Sequence, residues 1–179
     1  MNRALCLLFL GVLMSMPALA EKKPHKSKPL PEAPKEPVKP AEDPQLVRTF
    51  PPGTPEATLR EMLRCGAEMR DESAAFDCYL KLQVEGNRDT EVAVAQVKHY
   101  SWKVFRSRAQ SYLVPPKDPA KPEVVVKITR REPEKCQTAP VDGKLAQCKF
   151  YLESAVRDMP APVTFQWEDG QWRIFSSSL

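Results

Sequence analysis

The sequence predicts an α+β domain, with three N-terminal helices packed on a curved antiparallel sheet of four to five strands. Three observations carry that expectation. Apolar residues recur at helical spacing between residues 56 and 105. The period changes to two beyond residue 123. Near its end the chain reads Trp167-Glu168-Asp169-Gly170-Gln171-Trp172, two alternating runs joined by the dipeptide that tight hairpins favour.

The first twenty residues read as a secretory leader. Arg3 supplies the positive start, Ala4 to Met14 is a hydrophobic run of 11 residues, and Ala18-Leu19-Ala20 is a small-x-small cleavage site. Eleven apolar residues are too few to span a bilayer, and nothing after residue 20 approaches the 18 that would. The mature chain would begin at Glu21, in the periplasm or outside the cell. Residues 21–55 then hold ten prolines, with lysines interleaved up to Lys39. Proline removes a backbone donor and fixes φ, so this stretch is expected to be a semi-rigid spacer, neither helix nor sheet. What remains, residues 56–179, is one domain of ordinary size.

Within that domain Thr54-Pro55-Glu56 is a helix start: a hydroxyl cap, proline in the first turn and an acid near the positive helix end. Leu59, Met62, Leu63, Gly66 and Met69 follow on one face. A second helix starts near Asp71 or Ser73, buries Phe76, Tyr79, Leu80 and Val84, and can stop at Gly86. A third begins near Asp89, with Val94, Val97, Ser101 and Val104 as its stripe and Trp102 and Phe105 beside it. A strand is expected over Gln110 to Val114, closed by Pro115-Pro116. Strands follow in which Val124, Val126 and Ile128, then Cys148, Phe150 and Leu152, then Val163, Phe165 and Trp167 face inward. An Asp169-Gly170 turn sets Trp167 opposite Trp172 and Phe165 opposite Ile174.

An exported chain changes the meaning of its cysteines. Cys65, Cys78, Cys136 and Cys148 allow three connectivities, and separations of 13 and 12 residues favour the local pairs Cys65–Cys78 and Cys136–Cys148. Each loop would restrict the unfolded chain by about 3 kcal/mol. Without a C-x-x-C pair, and with only His25 and His99 to supplement the thiols, a metal site is not expected.

In its three leading helices, its meander of strands and its closing Trp167-Glu168-Asp169-Gly170-Gln171-Trp172-Arg173-Ile174, the chain resembles the superfamily named for nuclear transport factor two, which includes polyketide-cyclase-like and ketosteroid-isomerase-like proteins. The resemblance covers residues 56–179. It implies a cone-shaped sheet with a pocket between sheet and helices. Members include isomerases, cyclases, ligand binders and non-catalytic accessory domains, so fold alone does not choose a function.

Chemistry is sparse. A catalytic member would place an acid or base on the inner sheet face, where burial raises a carboxylate pKa. Here the inner phase is Val, Ile, Phe, Leu and Trp, with Cys148 and Ser154, while Glu123 and Glu153 fall on the solvent phase. Pocket-lining candidates are His99, Trp102, Phe165, Trp167 and Trp172. Lys98, Lys103, Arg106 and Arg108, with Tyr100 between them, form one basic cluster that could take an anion. Six glycines form no phosphate cradle. Residues 56–179 carry 19 Lys/Arg against 18 Asp/Glu, so the overall +4 resides mostly in the tail and a nucleic-acid partner is not expected.

The expectation is therefore an exported, non-catalytic binding or interaction module of the cell envelope, without cofactor or metal. Its partner would be a protein, a hydrophobic small molecule, or a second copy docked on the outer sheet face. The alternative is a small isomerase, dehydratase or cyclase acting on a hydrophobic carbonyl compound, with His99 or Asp77 as base.

Overall fold

The computed structural model describes residues 43–118, 120, 123–140 and 142–179. The expected leader, and the spacer up to residue 42, lie outside the described residues. The fold is α+β: helices first, then an open five-stranded antiparallel sheet in the order β1-β2-β3-β4-β5. The strands are β1 Leu46–Val47, β2 Val126–Glu132, β3 Gln147–Ser154, β4 Arg157–Glu168 and β5 Gln171–Ser177.

Strand β1 corrects the expected spacer. Leu46 and Val47 pair with Lys127 and Val126, and Gln45 C=O accepts from Ile128 N–H at 2.9 Å. The stretch from Gln45 to Phe50 contains no proline, so its amides remain free to pair. Arg48 adds a 2.6 Å ion pair to Glu123.

Helix α1 (Pro55–Leu63) starts where the sequence places it: Thr54 Oγ1 accepts from Ala57 N–H at 3.3 Å. A π-helical turn, Arg64–Glu68, continues it. Helix α2 (Glu72–Lys81) is capped by Asp71, whose carboxylate accepts from Ala74 N–H at 2.6 Å. It stops at Lys81, earlier than Gly86 would dictate. The reason is tertiary: Leu82 to Val84 leave the helix to run beside β5, with Ile174 N–H donating to Leu82 C=O and Val84 N–H donating to Ile174 C=O. Gly86 falls in the 3₁₀ turn Glu85–Asn87 instead.

The third helix has three sections: α3 (Glu91–Gln96), a π-helical turn (Val97–Trp102) and α4 (Lys103–Arg108). Thr90 caps it. The π turn rotates the buried face, so Val97 and Trp102, five residues apart, both point inward, followed by Phe105 and Ala109. Val104, expected on the stripe, is exposed for the same reason. The strand expected at Gln110 to Val114 is mostly a 3₁₀ turn, Ala109–Tyr112, which buries Ala109 and Tyr112 on one side. Only Leu113 bridges to the sheet, at Val126.

The sheet follows the period-two reading in β3 and β5. Just before β2, however, Val125 is buried and Val124 half-buried, the reverse of the expected phase, and in β4 the outward-phase Thr164 and Gln166 are covered as well. Cys148, Phe150 and Leu152 are buried, as are Val126, Ile128, Val163, Phe165 and Ile174. Asp169 and Gly170 both have positive φ, 50° and 76°, as the tight hairpin requires, and Trp167 pairs with Trp172 and Phe165 with Ile174. Bulges at Ile128/Arg130, Leu152/Ser154 and Thr164/Phe165 bend the sheet. Both local disulfides are present, Cys65–Cys78 with Cα atoms 5.7 Å apart and Cys136–Cys148 at 5.4 Å. The first ties the end of α1 to α2; the second ties the loop after β2 to β3. Among the described residues no helix is long and apolar enough to cross a membrane.

Candidate ligand recess

Among the described residues no Asp, Glu, His, Lys or Arg side chain is buried. The space between helices and sheet, where the resemblance places a pocket, is occupied by aromatic and aliphatic side chains. Phe150 and Phe165 meet edge to face at 5.3 Å in its middle, and Leu152, Ala161 and Val163 are wholly covered around them.

The five residues expected to line one pocket fall into separate groups. Trp102 is core: it packs on Phe76, Tyr79 and Phe105, and its indole N–H donates to Glu72 at 2.8 Å. Phe165 is core with Phe150. Trp167 and Trp172 pack on each other at 5.5 Å, and Trp172 C=O accepts from Thr58 at the head of α1. His99 is exposed and shares a shallow cavity of about 320 Å³ with Trp102. Asp77 is exposed on α2.

Within the basic cluster Lys98, Lys103 and Arg108 are exposed, while Arg106 is consumed internally. Its guanidinium donates to the C=O of Cys65 (3.2 Å), Gly66 and Met69 (2.6 Å) and to the Glu72 carboxylate. These carbonyls end the π-helical turn and have no helical partners of their own. Glu61, Cys65 and Cys78 also converge, but both sulfurs are spent in the disulfide and Glu61 is held by Arg64. Arg64 keeps the Glu61 carboxyl below its ordinary range.

A recess with unspent neutral polar groups lies elsewhere, between the end of α2, the Glu85–Asn87 turn, α3 with its π turn, and β5. Its volume is about 350 Å³. Its floor is Tyr79 and Gln83, one helical turn apart, 0% and 2% exposed. Tyr79 stands rigidly because its ring stacks on Phe105 at 5.4 Å and packs on Trp102 at 5.1 Å. Asn87 Nδ2 donates to Gln83 Oε1 and to Phe175 C=O, both at 3.2 Å, which fixes the Gln83 amide. Tyr79 Oη and Gln83 Nε2 are then left buried beside each other, outside good hydrogen-bond geometry and with no other partner. Such groups cost about 1–3 kcal/mol each unless something meets them. The walls add Ser101, Ser176, Ser177 and Gln96, and no charged side chain lines the recess. Tyr100 and Phe175, 73% and 45% exposed, stand at its sides. No motif signals this site; the available hint is Gln83, a polar residue flanked by Leu82 and Val84 and one turn after the aromatic Tyr79.

Burial raises the Tyr79 pKa above its ordinary 10.0, and the nearby Gln83 amide offsets only part of that. The phenol therefore stays protonated at neutral pH, able to donate and accept. The unfolded chain releases this proton near pH 10 while the folded chain keeps it. Stability therefore falls as pH rises above about 10. The unfolding midpoint, followed from pH 9 to pH 11.5, is expected to decline less steeply in Tyr79→Phe.

Comparison with protein-family models, curated proteins and solved structures gives no match to this chain.

Proposed function

We propose that the chain is an exported, non-catalytic binding module. The observation that carries this reading is the sheet–helix interior: it is packed with apolar side chains and, among the described residues, buries no Asp, Glu, His, Lys or Arg, while burial pushes its Tyr79 phenol further from a neutral pKa. General acid–base catalysis needs an acid or base within hydrogen-bond reach of the reacting proton. The two residues the sequence offers for that role, His99 and Asp77, are both exposed and lie outside that interior.

Export is supported by two disulfides, bonds that persist in oxidising compartments, and by the leader-like first twenty residues. The unspent polar groups of the recess favour recognition there over a second copy on the outer sheet face. That face carries a polar network at its centre, where Arg130 lies 3.9 Å over the Tyr151 ring, Tyr151 donates to Glu132 and Gln147 donates to Gln166, with exposed Leu145 and Phe175 beside it. A dimer interface is depleted of charge at its centre.

Deuterium exchange tests the reading. A hydrophobic enolisable ketone incubated with the protein in D₂O is expected to take up α-deuterium no faster than in buffer. Protein-dependent uptake that His99→Ala or Asp77→Asn abolishes would replace the binding module with an enzyme.

A further inference from the structure

We infer that the Tyr79–Gln83 recess binds a neutral, hydroxyl-rich ligand, a single saccharide unit of a glycan. The inference rests on the binding-module reading and gives it a ligand class. Four features of the recess converge on it.

The first is charge. An ionised ligand would lose its hydration on entry and meet no countercharge, since amides, hydroxyls and aromatic rings make the polar and planar lining. The second is the polar pair on the floor, two buried groups that meet each other at best poorly and nothing else. Tyr79 Oη can donate and accept, and Gln83 Nε2 can donate. Adjacent ring hydroxyls, each both donor and acceptor, satisfy that combination, whereas a hydrocarbon would leave both groups unmet. The third is the pair of exposed aromatics, Tyr100 and Phe175. A pyranose has one face of C–H bonds that can lie on an aromatic ring while its hydroxyls reach the amides at the edge. The fourth is size. A volume of about 350 Å³ is at the small end of ligand pockets, suited to one ring rather than an extended lipid or a folded partner.

The hydrophobic carbonyl compound expected from the alternative enzyme reading fits less well, because the recess floor presents polar atoms and the apolar interior is filled.

NMR titration of the full-length, ¹⁵N-labelled protein decides the matter. The neutral probes are cellotriose, maltotriose and chitotriose; glucuronate and glucosamine are the charged comparators. At least one neutral probe is expected to give saturable shifts at Gln83, Asn87 and Ser101, with Kd of about 10 mM or tighter. Tyr79→Phe is expected to weaken that binding by about tenfold or more while leaving the melting temperature of the free protein nearly unchanged, because the deleted oxygen makes no well-formed hydrogen bond there. Gln83→Met gives the same result by a second route if Tyr79→Phe fails to fold. Silence at the recess with all neutral probes, equal or stronger binding of a charged comparator, or full binding by both variants overturns the inference. If a probe binds but is recovered chemically altered, the ligand class stands and the non-catalytic reading falls. If the recess is silent and the ketone exchange test is also silent, the ligand class alone has failed.

Discussion

Arg106→Met is expected to lower the unfolding free energy by about 3 kcal/mol, the largest effect of any single polar substitution considered for this protein. One guanidinium serves three carbonyls at the end of the α1 π-helical turn, those of Cys65, Gly66 and Met69. It also pairs with Glu72, whose other oxygen holds the Trp102 indole. Charge-assisted hydrogen bonds contribute about 1.5–3 kcal/mol each, but they share one donor group and water can rehydrate part of the site, so the sum is discounted. Methionine keeps much of the stem that covers Trp102 and removes the donors. Arg106→Lys is expected to recover under half of the loss, because an ammonium cannot spread its donors over three carbonyls as a planar fork does. Denaturant unfolding of the three proteins measures this directly, and equal stability of Arg106→Met and wild type would contradict the assignment.

Gly66→Ala is expected to destabilise by about 2 kcal/mol, against the usual sign. In an exposed helix the same change stabilises by about 1 kcal/mol through propensity. Here a Cβ at Gly66 would lie 2.5 Å from Phe105 Cε1, 2.6 Å from Cζ and 2.8 Å from Ala109 Cβ. Phe105 cannot yield easily, since it is wholly buried and stacked on Tyr79. Gly66 thus lets the π-helical turn after α1 pack directly against Phe105 and Ala109 of the third helix. Gly86→Ala is the control: a Cβ there meets nothing within 4 Å, and its effect is expected within about 0.5 kcal/mol of zero. Thermal melts should separate the pair by about 8 °C.

The parts of this fold that are legible in the sequence are those set by local chemistry. Thr54-Pro55-Glu56 and Asp71 cap helices through their own side chains. Asp169-Gly170 can adopt two successive positive φ angles, and so fixes the register that places Trp167 on Trp172. The disulfide pairing follows from short loops. What the sequence conceals is set by tertiary contact. The π turn at Val97–Trp102 has no residue signature, yet it moves Trp102 into the core and Val104 out of it. Pro160 and Pro162 hide the first half of β4, although a proline is tolerated where the ladder does not require its N–H. Leu46–Val47 is concealed by neighbouring prolines that it does not itself contain.

The candidate site is less legible than the fold. Trp102, Phe165 and Trp172 look like pocket walls because large aromatics serve equally as walls and as filler, and only packing distinguishes the two. Tyr79 reads as one more apolar residue on a helix stripe. Its hydroxyl, without a well-formed hydrogen bond, emerges only when Gln83, Asn87 and β5 are brought around it.

Xenon-dependent methyl shifts test most directly whether the space between sheet and helices is closed, with recognition outside it. Xenon fills dry apolar cavities of about 150 Å³ and ignores packed interiors. The expected result is no saturable shift at Ile128, Leu152, Ala161, Val163 or Ile174 under xenon pressure. A saturable site at those methyls would reveal an open apolar pocket against the sheet and contradict the closed interior on which the proposed function depends.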